Sequence, residues 1–239
     1  MTTIAAVGDV HVGMDGADAL AAGWEGIGER AEVLLLAGDL TRCGDPGEAK
    51  LLAEVLERLP LPVVAVLGNH DHHADQPDEL ARVLTDAGVT VLEGTSTVLD
   101  LGGTTLGIAG TKGFGGGFAG ATISEFGERE MKDFARHATT LADRLERALG
   151  EIDGADHRVA LLHYSPIRET LRGEEREIYP ALGSYLFAEA IDRAGADLVL
   201  HGHAHRGTER GVTPGGVRVR NVAQPVIDAA YRLYDLTEA

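Results

Sequence analysis

The stretch AEVLLLAGD, residues 31–39, decides the fold class of this 239-residue chain. It is a short apolar run that ends in a glycine and an aspartate. Two further runs have the same form: TTIAAVGD at residues 2–9 and LPVVAVLGNHD at residues 61–71. Asp9, Asp39 and Asn69 close the three runs at intervals of 30 residues, about the length of a βαβ unit. Because the runs are almost wholly apolar, they predict parallel strands buried on both faces, with helices outside the sheet.

The segments that follow the second and third runs have the signals of helices. In DPGEAKLLAEVLERL, Asp45 stands at the N-cap and Pro46 at the first helical position, and Glu48 is spaced to complete a capping box. In PDELARVLTDAG, a helix is predicted from about Pro77 to the residue before Gly88. The first third of the chain therefore predicts alternating strands and helices.

The middle of the chain changes in character. VTVLEGTSTVLDLGGTTLGIAGT predicts two or three short strands, and Gly102 and Gly103 are typical of a tight antiparallel hairpin turn. A long helix is predicted from about Ile123 to Leu149. These segments predict an α/β fold with mixed rather than purely parallel sheets.

The last third predicts a return to strands and helices. RVALLHYSP and ADLVLHGHAH read as buried strands, and SYLFAEAIDRAG as a helix capped by Ser184 and stopped at Gly195. The alternating stretches VRVRNVA and YRLYDLT predict closing strands. Since no internal repeat and no Pro- or Ser-rich linker interrupts the pattern, we expect residues 1–239 to form a single domain.

Composition limits the partners and the compartment. The formal net charge of −17 argues against the sequence-independent attraction to phosphate backbones on which nucleic-acid binders depend. No apolar run approaches the ~20 residues that span a bilayer, and the N-terminal residues do not resemble a signal peptide. The single cysteine, Cys43, suits a reducing compartment, so we expect a cytoplasmic protein. The oligomeric state stays open, and a homodimer is one alternative.

Polar residues cluster at the ends of the predicted strands, where the ligands of open α/β sheets bind. They are Asp9, His11, Asp39, Asn69, His70, Asp71, His163, His203 and His205. This set contains imidazole, carboxylate and amide groups but no thiolate, a combination that suits Mn, Fe, Zn or Co. It holds more ligands than one metal needs, and it fits two metals that share a bridging carboxylate.

The order of these motifs, D-x-H, GD, GNHD, H and GHxH, resembles the calcineurin-like metallophosphoesterase superfamily. Each motif is intact, and together they extend from Asp9 to His205, most of the chain. The resemblance implies a four-layer αββα sandwich, in which two mixed β-sheets are flanked by helices.

The resemblance also implies roles for the individual residues. One metal would be held by Asp9, His11, Asp39 and His205. The second metal would be held by Asp39, Asn69, His163 and His203, with Asp39 as the bridge. His70 would lie beside the metals and assist catalysis, and Asp71 would orient its imidazole. Two metals that share a bridging carboxylate lower the pKa of a water bound between them, and the resulting hydroxide attacks phosphorus in line.

The implied activity is metal-dependent hydrolysis of a small phosphoester. The stretch GDLTRCGDPGEAKLL most resembles the branch of cyclic-nucleotide-type and related phosphodiesterases, so we expect a phosphodiesterase. The alternatives are a phosphomonoesterase, a DNA nuclease and a non-catalytic metal-binding scaffold. The acidic charge disfavours the nuclease, and His70, the histidine that scaffolds tend to lose, is present.

Several further features have less specific interpretations. GFGGGFAG, residues 113–120, predicts a mobile loop at the edge of the site, with Lys112, Phe114 and Phe118 as candidate substrate contacts. His72 and His73 are expected to be exposed. His201 is expected to pack behind the ligands, not to bind metal. A charged run after His163 contains Arg168, Arg172 and Arg176 and is typical of a solvated helix face. Arg168 is also a candidate contact to the substrate phosphate.

Overall fold

The structure, a computed structural model, describes residues 2–237. The strands found in that range are β1 (Thr3–Val7), β2 (Val33–Ala37), β3 (Val63–Val66), β4 (Thr90–Val91), β5 (Thr95–Asp100), β6 (Thr105–Thr111), β7 (Gly117–Phe118), β8 (Ala121–Thr122), β9 (His157–Leu162), β10 (Leu198–His201), β11 (Arg210–Val212), β12 (Arg218–Asn221) and β13 (Arg232–Asp235). The α-helices are α1 (Ala17–Gly23), α2 (Pro46–Leu56), α3 (Pro77–Asp86), α4 (Arg129–Glu151), α5 (Tyr179–Leu182), α6 (Tyr185–Ala194) and α7 (Gln224–Ile227).

The strands form two large mixed sheets and one small hairpin. The first sheet has the order β13-β1-β2-β3-β4, and only β13 runs antiparallel to its neighbour. The second sheet has the order β11-β12-β10-β9-β6-β5, in which the two edge strands are antiparallel and the others parallel. Strands β7 and β8 pair with each other. The predicted parallel core and the predicted antiparallel hairpin, β5–β6, are both confirmed.

Alternation along the strands explains how the sheets stack. In β2, Val33, Leu35 and Ala37 belong to an apolar cluster that fills the space between the two sheets. Leu34 and Leu36 face the opposite way and pack with residues of α1, α2 and α3. A third cluster covers the outer face of the second sheet with α4 and α6. The molecule is therefore an αββα sandwich of four layers, as the resemblance implies.

The long helix begins later than its sequence predicts. The predicted start at Ile123 is wrong, because the backbone N–H of Ile123 donates to the carbonyl of Gly116 and continues the β7–β8 hairpin. Gly127 has a φ of +94°, which a helix cannot contain, and α4 then begins at Arg129.

The predicted capping box at α2 is half right. The Asp45 side chain accepts a hydrogen bond from the backbone N–H of Gly47, as an N-cap should. Glu48, however, accepts from the backbone N–H of Cys43 rather than from that of Asp45. The carboxylate thus fastens the loop before the helix, not the cap itself.

The longest of these helices, α4, has 23 residues and a strongly amphipathic sequence. In residues 2–237, none of the helices is long and apolar enough to cross a membrane.

Candidate metal centre

The predicted site residues meet at one edge of the sandwich because five parallel strands end there. They follow the carboxyl ends of β1, β2 and β3 in the first sheet and of β9 and β10 in the second. The seven predicted ligands lie at this edge: Asp9, His11, Asp39, Asn69, His163, His203 and His205.

The backbone of this edge is strained where the ligands stand. Among the described residues, six that are not glycine have a positive φ, and four of the six are predicted ligands. These are Asp9 (φ 60°), His11 (φ 43°), Asp39 (φ 50°) and His203 (φ 70°). Such conformations are disfavoured for residues other than glycine. They persist where the surrounding structure fixes them, most often at functional sites. The concentration of strained residues at this edge is a second indication, besides the ligand types, of a functional site.

The ligating atoms form two groups that share one aspartate. In each group, one atom from every side chain lies within 4.8 Å of the others, close enough to hold a metal ion. The first group is Asp9, His11, Asp39 and His205, and the second is Asp39, His163 and His203.

Asp39 faces both groups with different oxygens. Its Oδ2 lies 3.8 Å from Nε2 of His11, and its Oδ1 lies 3.3 Å from Nε2 of His163. The backbone N–H of His70 also donates to Oδ1, at 2.8 Å, and holds the carboxylate in this orientation. A carboxylate in this orientation can bridge two cations.

The tautomer of His163 is set by its surroundings. Its Nδ1 lies 2.9 Å from the carbonyl oxygen of Ala37, which can only accept, so Nδ1 carries the proton. Nε2 then presents a lone pair towards Asp39 and towards Oδ1 of Asn69, which lies 2.9 Å away. Burial holds the pKa of His163 well below its ordinary value, which keeps the imidazole neutral. Neutral imidazoles whose other nitrogen is fixed by a carbonyl are the form that binds metals.

The electrostatics of the other ligands also fit a cation. Burial raises the pKa of Asp9 to about 6, although a hydrogen bond from His205 at 2.8 Å opposes that rise. Burial lowers the pKa of His203 to about 3, so this imidazole is neutral. Burial of the carboxylates of Asp9 and Asp39 beside the neutral imidazoles of His163 and His203 favours a compensating positive charge, which divalent metal ions supply.

A glycine allows the strand end to come close to Asp9. A Cβ added to Gly202 would stand 2.2 Å from Oδ2 of Asp9 and 2.8 Å from the carbonyl oxygen of Ala37. In the space so left, the backbone N–H of His203 donates to both oxygens of Asp9, at 2.9 and 3.0 Å. The donor set, the strain and this close approach together fit a metal centre.

His70 lies beside the two groups, but the predicted role of Asp71 is wrong. Nδ1 of His70 donates to the carbonyl oxygen of Arg42 at 2.8 Å, and its Nε2 lies 4.0 Å from Oδ2 of Asp39. Asp71 does not orient this imidazole, since its oxygens accept four hydrogen bonds from elsewhere. The donors are the backbone N–H groups of Leu40, Thr41 and Gly68 and the hydroxyl of Thr41. Asp71 therefore positions the loop that supplies the Arg42 carbonyl.

His201 is directed away from both groups. Its ring nitrogens lie 2.8 Å from the carbonyl oxygen of Gly202 and 2.9 Å from the hydroxyl oxygen of Thr170. The side chain is fully buried, and burial lowers its pKa to about 4. His201 thus connects the strand end to the segment that carries the arginine run.

Two residues beside the centre are absent from the sequence prediction. The ring of Tyr164 lies 4.4 Å from that of His203, and the hydroxyl of Thr41 holds Asp71. Each directly or nearly follows a predicted ligand, in HYSP and GDLT, and that adjacency is the signal that could have found them.

The remaining predictions are met in part. GFGGGFAG contributes β7 and the turn that leads into β8, and Lys112 is mostly buried, with its ammonium 5.1 Å from the ring centre of Phe114. His73 is exposed as expected, whereas His72 is half-buried and its Nε2 has no hydrogen-bond partner in the described part of the chain.

A four-layer αββα sandwich with this donor set at its strand ends is the architecture of the metal-dependent phosphoesterases. The family model described as calcineurin-like phosphoesterase matches residues 2–207, and the chain belongs to that family. Solved structures with the same fold include a phosphopantetheinyl hydrolase from Mycobacterium tuberculosis, at 16% identity and a TM-score of 0.72, over 98% of this chain and 95% of that one. A Thermus thermophilus protein is similar at 18% identity and a TM-score of 0.63, over 98% of this chain and 99% of that one. Among curated proteins, no match is found.

Proposed function

We propose that the protein is a dinuclear-metal-dependent phosphodiesterase that acts on a small substrate. The observation that carries the proposal is the pair of ligating groups that share Asp39, with His70 beside them. In this proposal Asp9, His11, Asp39 and His205 hold one metal. Asp39, Asn69, His163 and His203 hold the other. Manganese, iron and zinc all suit these donors.

The chain's own residues supply orientation and proton transfer. Bound metals would stabilise negative charge on the phosphoryl oxygens and lower the pKa of a water molecule towards neutrality. His70 is held through Nδ1 by the Arg42 carbonyl, so its Nε2 is the nitrogen left to face the substrate. In the imidazolium form, Nε2 would donate a hydrogen bond to phosphate or a proton to the leaving oxygen. Asp71 keeps that carbonyl in position through its bonds to Leu40 and Thr41.

The preference for diesters over monoesters rests on the stretch GDLTRCGDP, which resembles that of the phosphodiesterase branch. In the structure this stretch frames the proposed proton donor: Thr41 binds Asp71, and Arg42 binds His70. The acidic charge of −17 makes a small substrate a better fit than DNA. We further propose that residues 1–239 act as one domain in the cytoplasm; a homodimer remains one alternative for its oligomeric state.

A panel of substrates tests the proposal. Metal-free protein is reloaded with Mn²⁺ and offered bis(p-nitrophenyl) phosphate, a cyclic nucleotide, p-nitrophenyl phosphate, duplex DNA and a phosphopantetheinyl diester. We expect the small diesters to be turned over with the highest kcat/KM. Faster hydrolysis of the monoester would make the protein a phosphomonoesterase, and cleavage of DNA alone would make it a nuclease. Normal metal binding without turnover of any substrate would overturn the proposal and favour the non-catalytic metal-binding scaffold.

A further inference from the structure

Three arginines of the charged run converge on one cavity. The run predicts a solvated helix face, but the segment contains only two short 3₁₀ turns, Glu169–Leu171 and Arg176–Ile178. Between and around these turns, the arginines line a cavity of about 570 Å³. Its walls include Phe118, Arg168, Glu169, Arg172, Arg176 and Tyr179.

The segments next to the cavity contact the strand end that carries His203 and His205. Pro180 lines it, and the carbonyl oxygen of the next residue, Ala181, lies 3.4 Å from Nε2 of His203. On the other side, Glu174 accepts a hydrogen bond from the backbone N–H of Arg206 at 2.7 Å. The segment that forms this wall of the cavity therefore also contacts His203, a proposed ligand of the second metal.

The charge of the cavity is opposite to that of the whole protein. In residues 2–237, none of the three arginines has a carboxylate within 4 Å, whereas Arg42, Arg82 and Arg193, for example, are paired at 2.6 to 2.9 Å. Glu169 is the one acidic residue among the lining residues, so three guanidinium groups face one carboxylate. An exposed arginine group that an acidic protein leaves unpaired is suited to an external anion.

The guanidinium groups are also suited to phosphate in particular. Each can donate two parallel hydrogen bonds to a pair of phosphate oxygens, which an ammonium group cannot do. Arg168 stacks with its guanidinium carbon 6.0 Å from the ring centre of the buried Phe118, which restricts the side chain at the cavity wall.

We infer that this arginine cavity binds a second phosphate group of the substrate, so that the protein selects phosphodiesters that carry a further phosphate a few bonds from the scissile one. The inference rests on the proposed function, because it assigns the substrate class of the same site. It gives Arg172 and Arg176 a role in substrate binding and none in the chemical step.

A matched pair of esters tests the inference. Propyl p-nitrophenyl phosphate and its 3-phosphopropyl analogue have the same leaving group and differ only in the second phosphate. For the variant R172A/R176A, we expect KM for the phosphopropyl ester to rise about tenfold, while kcat for both esters and KM for the propyl ester change less than about twofold. Arg58→Ala, which removes an exposed arginine next to α2, is the control and should change neither constant.

A binding measurement separates this inference from the proposed function. Calorimetric titration of metal-free protein with inorganic pyrophosphate should show binding that weakens about tenfold in R172A/R176A, remains in Arg58→Ala and weakens with added salt. Equal binding by the wild type and the double variant, or equal KM for the two esters in the wild type, would overturn the inference. If neither ester is hydrolysed but pyrophosphate binding depends on the arginines, the proposed function fails and the anion site stands.

Discussion

A left-handed backbone at an aspartate or a histidine costs of order 1–3 kcal/mol, and this chain contains four such residues at a single edge. The sequence identifies their side chains, because Asp9, Asp39 and His203 follow apolar runs and glycines. It does not predict their φ angles, since residues of these types occupy ordinary conformations nearly everywhere else. The strain arises from tertiary packing, such as the approach of Gly202 to Asp9.

The role of His70 is tested by its removal. Because Nε2 of His70 is 4.0 Å from Asp39 and the ring is bound to Arg42, we predict that His70→Ala lowers kcat by roughly 10²–10⁴-fold. The metal content, measured by mass spectrometry of the desalted protein, should stay at the wild-type value. His73→Ala, an exposed histidine three residues away, is the control and should retain its activity. Loss of metal in His70→Ala would instead make His70 a ligand.

The burial of His201 predicts a pH dependence of stability. The pKa of His201 is about 4 in the folded chain and near 6.5 when unfolded. Below pH 6.5 the unfolded chain therefore takes up a proton that the folded chain does not, and stability falls until the pH reaches about 4. From this difference in pKa, His201 lowers the free energy of unfolding by about 3 kcal/mol as the pH falls from 6.5 to about 4.

Urea unfolding of metal-free protein at pH 7.5 and pH 4.5 measures this effect. Comparison with His201→Asn cancels the contribution of the other histidines to the pH dependence of stability, since the variant keeps them all. We predict that the variant is less stable than the wild type at pH 7.5, because the buried hydrogen bond between His201 and Thr170 is lost, and that the difference narrows at pH 4.5. If the difference in stability between the variant and the wild type is the same at pH 7.5 and pH 4.5, the folded chain protonates His201 as readily as the unfolded chain does, which would contradict the prediction.

At the scale of the elements, most strands of the two large sheets and the starts of α2, α3 and α6 could be predicted because local signals specify them. Pro46 and Pro77 begin their helices, and Ser184 caps α6 through a bond to the N–H of Leu186. The exceptions involve contacts from distant parts of the chain or loop geometry. Ile123 joins a hairpin, and the arginine run is held by Thr170 and Glu174 to the strand end that follows β10.

The loop that carries Arg42 depends on Asp71, and this dependence can be measured. Asp71 is fully buried, and burial raises its pKa to about 6. In all four of its hydrogen bonds, a carboxylate oxygen of Asp71 is the acceptor. In Asp71→Asn, at least one backbone N–H faces an amide nitrogen, so we predict a loss of about 2 kcal/mol in the free energy of unfolding. The activity should also fall, because the Arg42 carbonyl no longer holds His70.

Asp78→Asn provides the matched control, since it removes the same charge at an exposed position in the first turn of α3. Its free energy of unfolding should change by less than about 1 kcal/mol. If both variants unfold alike in urea and Asp71→Asn keeps full activity, the loop does not depend on Asp71.

At the scale of the whole molecule, the sequence predicts the sandwich and the set of site residues, because parallel strands bring their carboxyl ends to one edge. It does not predict which other segments meet there. The cavity of Arg172 and Arg176 lies in a segment whose charges alternate in sequence, so only the folded arrangement separates the arginines from the neighbouring Glu175 and Glu177.

The central claim is that two metals bind at the carboxylate of Asp39 and that hydrolysis needs both. The most direct test is a titration of metal-free protein with Mn²⁺, in which bound metal per chain and hydrolysis of bis(p-nitrophenyl) phosphate are followed together. We predict two bound ions per chain, turnover that rises with the second equivalent, and loss of both bound metal and turnover in Asp39→Asn. Full turnover with one bound ion, or two bound ions retained by Asp39→Asn, would contradict the account.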